Sequence, residues 1–129
     1  MGLSKANRDK FGRAGFWTQM ASRQWTDSLS ASFASLAIAI ESLAERGSLG
    51  PAAKFRNFLE RYAPGASLED RRKEMYRLRS DILHGSGLME MDQDTHFGWG
   101  PPEQKEMDLM NELWGLTRIA MRNWLKDPS

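Results

Sequence analysis

Two side chains in this sequence have the types, and nearly the spacing, for proton transfer beside a fixed positive charge. They are Arg79 and His84, in the run Tyr76-Arg77-Leu78-Arg79-Ser80-Asp81-Ile82-Leu83-His84-Gly85. A guanidinium stays charged at any working pH and its planar fork matches oxyanions. An imidazole titrates near neutrality. At about 100° per residue with Leu68 at zero, Leu68, Met75, Leu78, Ile82 and Leu83 fall on one broad side that must face a core. Arg79 falls near the middle of that side, with Arg72 one heptad behind it. Burying a guanidinium unpaired costs several kcal/mol, so Arg79 needs an anionic partner, an exit to water or a seam between two chains. A spacing of five turns two side chains apart on a continuous helix. They converge if the helix ends near Leu83, with Gly85 as its left-handed cap and His84 swinging back across the last turn. An arginine and a histidine meeting there form a small cationic, proton-transferring site.

The elements that must position this pair read clearly in places. Leu29, Phe33, Leu36, Ile40 and Leu43 step by four, three, four and three, an amphipathic helix running from a cap at Thr26 or Asp27 to Arg46, with Gly47 as its stop. Ala34, Ala37 and Ala44 beside the stripe permit close approach of another helix. Glu41 borders it and is either the acid that satisfies Arg79 or a surface residue, the spacing favouring the surface. Gly50-Pro51 opens a second helix whose inward face is Phe55, Phe58, Leu59 and Tyr62, closed by Pro64-Gly65. Ser67 then caps the helix that carries Arg79, with acids in its first turn. On that helix Glu74, Arg77 and Asp81 read as an outward, paired ladder, and Tyr76 as a packing residue at the edge of the apolar face. A last helix spans about Glu103 to Leu125. Met107, Met110, Trp114, Met121, Trp124 and Leu125 line one side, widened by Leu113, Leu116 and Ile119.

Ahead of these, residues 1–20 form a short helix or an arm whose Phe16 and Trp17 dock on the core. Between Gly85 and Pro102 runs a loop long for so small a chain, GSGLMEMDQDTHFGWGPP. Its apolar residues point to a lid or an arm contacting a second copy; His96 within it reads as a loop histidine without a role. The expected class is all-α, an up-and-down bundle of four main helices in a single domain over 1–129.

Composition narrows the chemistry. A chain of 129 residues with no cysteine has no disulfide or thiolate site, and its two histidines are far apart in sequence. No apolar run approaches the roughly 20 residues that cross a bilayer, and the first residues lack the hydrophobic stretch of a signal peptide. The expected location is cytoplasmic. The net charge of +1 hides an asymmetry: Lys54 to Arg79 holds eight Lys/Arg against four acids, whereas Ser80 to Glu112 holds eight acids against Lys105 alone. The basic block is a solvated face, a polyanion-binding face or the partner of another subunit's acidic block.

Arg79-Ser80-Asp81-Ile82-Leu83-His84 fits the R-x(4–6)-H motif of the HEPN superfamily. The run YRLRSDILHG, preceded by the helix Phe33 to Leu43 with its Glu41, resembles the Apea-like branch over roughly Asp27 to Gly87. The resemblance implies an HEPN-like bundle and a homodimer in which two motifs face one another across the seam. It also implies a metal-independent endoribonuclease without cofactor, with Arg79 and His84 each contributed twice. RNA carries its own nucleophile: a base that removes the 2′-hydroxyl proton lets that oxygen attack the adjacent phosphate, and a fixed cation meets the charge that builds there. Supporting candidates are Glu41, Tyr76, Ser80 and Asp81. Ser80 stands where active members commonly carry Asn, Asp or His. Candidates for contact with RNA are Arg72, Lys73 and Arg77. Kinship further implies a toxin or defence effector kept silent by a separately encoded antitoxin or regulatory protein. Because non-catalytic members exist, the alternative is an inactive dimerisation or protein/RNA-interaction module.

Overall fold

Small residues decide which helix lies at the centre. The structure, a computed structural model, describes residues 2–44, 50–65, 69–89, 92–93 and 101–128, apart from the side chains of 101–103. Five helices follow in chain order: α1 (Lys5–Gln24), α2 (Leu29–Leu43), α3 (Pro51–Tyr62), α4 (Glu69–Leu83) and α5 (Pro101–Lys126). No strand occurs among the described residues. The all-α class is therefore as expected. The helix α2 approaches all four others. Its stripe Leu29, Phe33, Leu36, Ile40 and Leu43 is buried, and so are Ser32, Ala34, Ser35, Ala37 and Ala39 around it. Short side chains let neighbouring backbones come close on those flanks, and each buried hydroxyl still needs a partner. Ser32 Oγ donates to the carbonyl of Ala21 at 2.6 Å, and Ser35 Oγ to that of Ala31 at 2.8 Å.

The segment expected to be a short helix or an arm is the second-longest helix among the described residues. Ser4 caps α1, its Oγ accepting from the Asn7 amide, and Ala14 and Ala21, one heptad apart, are fully buried. Phe11 stacks on Trp124 of α5 at 6.0 Å, and Thr18 Oγ1 lies 3.5 Å from Met121 Sδ, so α1 runs antiparallel to α5. Alanine periodicity gives little apolar signal, which is why the helix does not stand out in the sequence. Trp17 packs against the core as expected, but Phe16 is 54% exposed and meets Trp17 only edge-on.

Boundaries shift for local reasons. Ser28, not Thr26 or Asp27, caps α2, its Oγ accepting from the Ala31 amide, and α2 ends at Leu43 rather than Arg46. Pro51 opens α3 as expected, and Gly65 takes a φ of 71° just past its end. The expected cap Ser67, Leu68 and the stop Gly47 lie outside the described residues. On α5, Met110, Leu113, Leu116 and Trp124 are buried, whereas Ile119 and Leu125 are exposed at the margins of the broad face. Trp124 Nε1 has no hydrogen-bond partner among the described residues. Among the described residues no helix is long and apolar enough to cross a membrane.

Gly12 is exposed inside α1, and a Cβ built there meets nothing within 4 Å. Glycine in such a place destabilises a helix by roughly 0.5–1 kcal/mol relative to alanine. Gly12→Ala should accordingly raise the thermal midpoint by about 2–5 °C. A midpoint unchanged or lowered in calorimetry would show that α1 does not end up as a regular helix there.

Candidate active site

The helix that carries the motif is poor in apolar residues: only Arg72 and Met75 of α4 are buried. Charge holds it in place. Arg71 reaches α5, its Nε and Nη2 each 2.9 Å from Glu112 Oε2. Arg72 reaches α3, where its Nη1 donates to Glu60. Arg79 reaches α2, donating from Nε to Glu41 Oε2 at 3.0 Å and from Nη2 to Glu41 Oε1 at 2.6 Å. This last pair is a bidentate fork with its side chains only 16% and 22% exposed. The surface position favoured for Glu41 from spacing is thus corrected: it is the acid that satisfies Arg79.

Tyr76 completes the seat. Its ring lies 5.1 Å from the Arg79 guanidinium carbon and 5.5 Å from the ring of Phe55. A guanidinium over an aromatic face gains about 0.5–2 kcal/mol and loses freedom to swing. With Nε and Nη2 taken by Glu41, the Nη1 edge is what remains for a further acceptor.

The end of α4 is built as its sequence implies. The helix stops at Leu83, and Gly85 adopts a φ of 72°. The Ser86 amide donates to the Asp81 carbonyl at 2.8 Å and the Gly85 amide to that of Ile82 at 3.2 Å, the two bonds of a Schellman cap. His84 is the residue before the left-handed glycine, its own amide donating to Ser80 at 2.9 Å. The imidazole is exposed. Arg79 and His84 do not touch: the arginine is turned in on Glu41 and the histidine faces solvent. Convergence within one chain is therefore corrected. Leu83, expected to face the core, is 43% exposed beside His84, and Leu88 after it is 51% exposed. Ser80 is half-buried, and Asp81 closes the turn, its Oδ1 3.4 Å from Ser86 Oγ.

The candidates for RNA contact divide. Arg72 is buried on Glu60 and does not belong to an open basic face, a correction. Lys73 is exposed and sits 3.8 Å from Glu69. Arg77 is exposed above a shallow groove of about 280 Å³ lined by Glu74, Leu78, Asp81, Lys105 and Leu109. The expected ladder of Glu74, Arg77 and Asp81 is not formed, because Glu74 turns to Lys105 at 2.9 Å and Arg71 at 3.6 Å. His96 and most of the long loop lie outside the described residues. Among the described residues no cluster of metal-ligating side chains occurs.

One residue escapes a reading by motif. Asp92 crosses back to the start of α2, accepting from Ser28 Oγ at 2.9 Å, the Leu29 amide at 3.1 Å and the Ser30 amide at 2.6 Å. Met89 is buried, and its amide donates to Ser30 Oγ at 2.8 Å. The chain leaving His84 is thus strapped across the N-terminus of α2, where amides and dipole favour a carboxylate. Burial pushes the Asp92 carboxyl up, but bonds from the Ser30 side chain and amide, from Ser28 and from Leu29 outweigh it and leave the pKa lowered.

A lowered folded pKa stabilises above the unfolded carboxyl value, and that stability is lost as pH falls through the folded value. Asp92→Asn should cost about 1–2 kcal/mol at pH 7, and the gap to the wild type should close as pH falls through the lowered folded value of the carboxyl. A gap constant with pH in urea titrations would refute a charged cap. For the fork, a double-mutant cycle of Glu41→Ala and Arg79→Ala should give a coupling of about 1–3 kcal/mol. A coupling under about 0.5 kcal/mol would place it with surface pairs.

Scans against family models, against curated proteins and against solved structures each returned no match to this chain.

Proposed function

We propose that the chain is a metal-independent endoribonuclease of HEPN type, working as a homodimer with two copies of Arg79 and His84 in one composite site. The observation that carries the reading is the state of His84: an exposed imidazole on a tightly capped helix end, flanked by exposed Leu83 and Leu88. An apolar rim around a titratable group is what a second copy would cover, and covering it would exclude water from the reaction. The separation of Arg79 from His84 within one chain fits the same picture, since the two roles need not come from one subunit.

In this reading the neutral imidazole of one His84 takes the 2′-hydroxyl proton. The 2′-oxygen bonds to phosphorus while the bond from phosphorus to the 5′-oxygen breaks. The protonated His84 of the second copy gives its proton to the leaving oxygen. The Nη1 edge of Arg79 meets the charge on the phosphorane, and Glu41 and Tyr76 keep the guanidinium pre-oriented. Products are a 2′,3′-cyclic phosphate and a 5′-hydroxyl end. Lys73 and Arg77, on the solvent side of the same helix, attract the strand. A role as a toxin or defence effector, silenced by a separately encoded partner, follows from the family resemblance.

A specific observation favours a second reading. Glu41 takes two donors of Arg79 and neutralises it, which suits an inactive module whose motif survives as a structural pair and dimer seat.

Incubation of labelled RNA with the purified protein in EDTA separates the two. The nuclease reading expects cyclic phosphate ends, no cleavage of the matching deoxyoligonucleotide, and a loss of at least about 100-fold in His84→Ala with an unchanged circular dichroism spectrum. Stable dimers in sedimentation without cleavage would support the module and end the nuclease reading. Cleavage that survives His84→Ala would end it too.

A further inference from the structure

Much of the basic block between Lys54 and Arg79 is paired internally, although Arg77 stays exposed without an ion pair among the described residues. Arg71, Arg72 and Arg79 of that block are turned onto Glu112, Glu60 and Glu41. A second basic surface forms where α1 and the second half of α5 lie antiparallel. Residues 113–126 hold Arg118, Arg122 and Lys126 and no acid, and Arg8 of α1 lies at the edge of the same face, about 80° around the helix from Thr18. Arg118 and Arg122, one turn apart on α5, are exposed and form no ion pair among the described residues. At one end of this seam opens a cavity of about 610 Å³, lined by Ser22, Trp25, Thr26, Asn111, Trp114 and Arg118. Both indoles are half-buried, so they are held by the bundle while a face stays open to the cavity.

We propose that this seam binds single-stranded RNA, seating one unpaired nucleotide with its base against Trp25 and Trp114 and its flanking phosphates on Arg118 and Arg122. Each part of the pocket has a counterpart in such a ligand. Indoles take a base by its π-face, whatever its identity. Arginines a turn apart match successive phosphates, bidentately and without a competing acid. The Asn111 carboxamide and the hydroxyls of Ser22 and Thr26 offer donors and acceptors to a base edge. A duplex hides its base faces and satisfies only the arginines. A phosphorylated peptide satisfies the arginines and leaves the aromatic wall without a planar partner. The inference rests on RNA as the substrate under Proposed function, yet it uses none of the residues assigned to the chemistry there.

The test uses the full chain carrying His84→Ala, so that binding is read without cleavage and survives or fails apart from the nuclease reading. Anisotropy of a labelled single-stranded RNA of about ten nucleotides should show at least tenfold weaker binding for Arg118→Glu/Arg122→Glu. The slope of log affinity against log salt should fall by about 1.4, at about 0.7 per lost phosphate contact on a single strand. Trp114→Leu should weaken binding by about 5- to 100-fold. The control Arg13→Glu/Lys54→Glu makes the same change of charge away from the seam, Arg13 lying about 140° around α1 from Thr18, and should weaken binding far less. If Trp114→Leu fails to fold, tryptophan emission of the His84→Ala protein carries the same test, since stacking quenches it on binding. The proposal is overturned if the control weakens binding as much as Arg118→Glu/Arg122→Glu. It is equally overturned by duplex RNA binding as tightly as the single strand, by a phosphopeptide binding where RNA does not, or by emission unchanged on binding.

Discussion

A guanidinium cannot shed its charge, and α4 places three of them where the bundle closes around it. That constraint orders much of what surrounds the motif. With Met75 as the one fully buried apolar side chain of α4 among the described residues, hydrophobic contact leaves the rotation and axial position of the helix weakly specified. Ion pairs are directional and supply what is missing. Arg71 fixes α4 to α5, Arg72 to α3 and Arg79 to α2, and no sliding or turning of α4 keeps all three. A half-buried pair adds little net stability over an apolar contact of the same volume, because desolvation offsets most of the Coulomb gain. What it adds is uniqueness, since any other placement strands a charge.

The same fork constrains the chemistry. An arginine that binds phosphate must either release its internal acid or use a free edge. Releasing Glu41 would strand a carboxylate with 22% exposure in the core side of the seam, a cost on the order of several kcal/mol at low dielectric. Using Nη1 leaves the fork intact and keeps the guanidinium on the Tyr76 ring. The second route asks for no reorganisation at the moment of reaction, which is what electrostatic catalysis requires. On the proposed reading, Glu41 is therefore an orienting partner of Arg79 rather than its inhibitor. The histidine shows the opposite design: among the described residues it takes no side-chain partner, and its backbone is fixed by the capped turn.

Much of the fold was legible in the sequence because it rests on periodicity. The stripe of α2, the Gly50-Pro51 start of α3, and the end of α4 at Leu83 with Gly85 left-handed each follow from residues a few positions apart. What was not legible depends on partners far away in the chain. α1 hides because its buried face is alanine, whose small side chain matters only once α2 lies against it. Nothing local to Glu41 says that Arg79, 38 residues on, will claim it. Asp92 stands in a glycine-rich stretch with no periodic context, and its partners at Ser28 to Ser30 lie more than 60 residues earlier. The motif nominates Arg79 and His84 but carries nothing about their orientation: spacing allowed His84 to fold back, and the strap through Met89 and Asp92 is part of what sets its course.

Charge shows the gap between sequence and surface most clearly. Counted along the chain, positive charge peaks between Lys54 and Arg79, and α1 and α5 look unexceptional. In the folded chain most of the peak is spent internally: Arg71, Arg72 and Arg79 meet acids, Lys73 lies beside Glu69, and Arg61 beside Asp127, while Arg77 stays exposed. Paired charges produce short-range dipolar fields that fade within a Debye length of about 8–10 Å. Unpaired ones dominate the potential felt by an approaching polyanion. With a net charge of only +1, long-range steering depends on where the unpaired cations gather, and the second half of α5 carries Arg118, Arg122 and Lys126 with no acid among them. On the proposed reading, a strand drawn to the protein would meet that surface whether or not the motif helix has a phosphate to bind, and recognition and cleavage would fall on different faces of one small bundle.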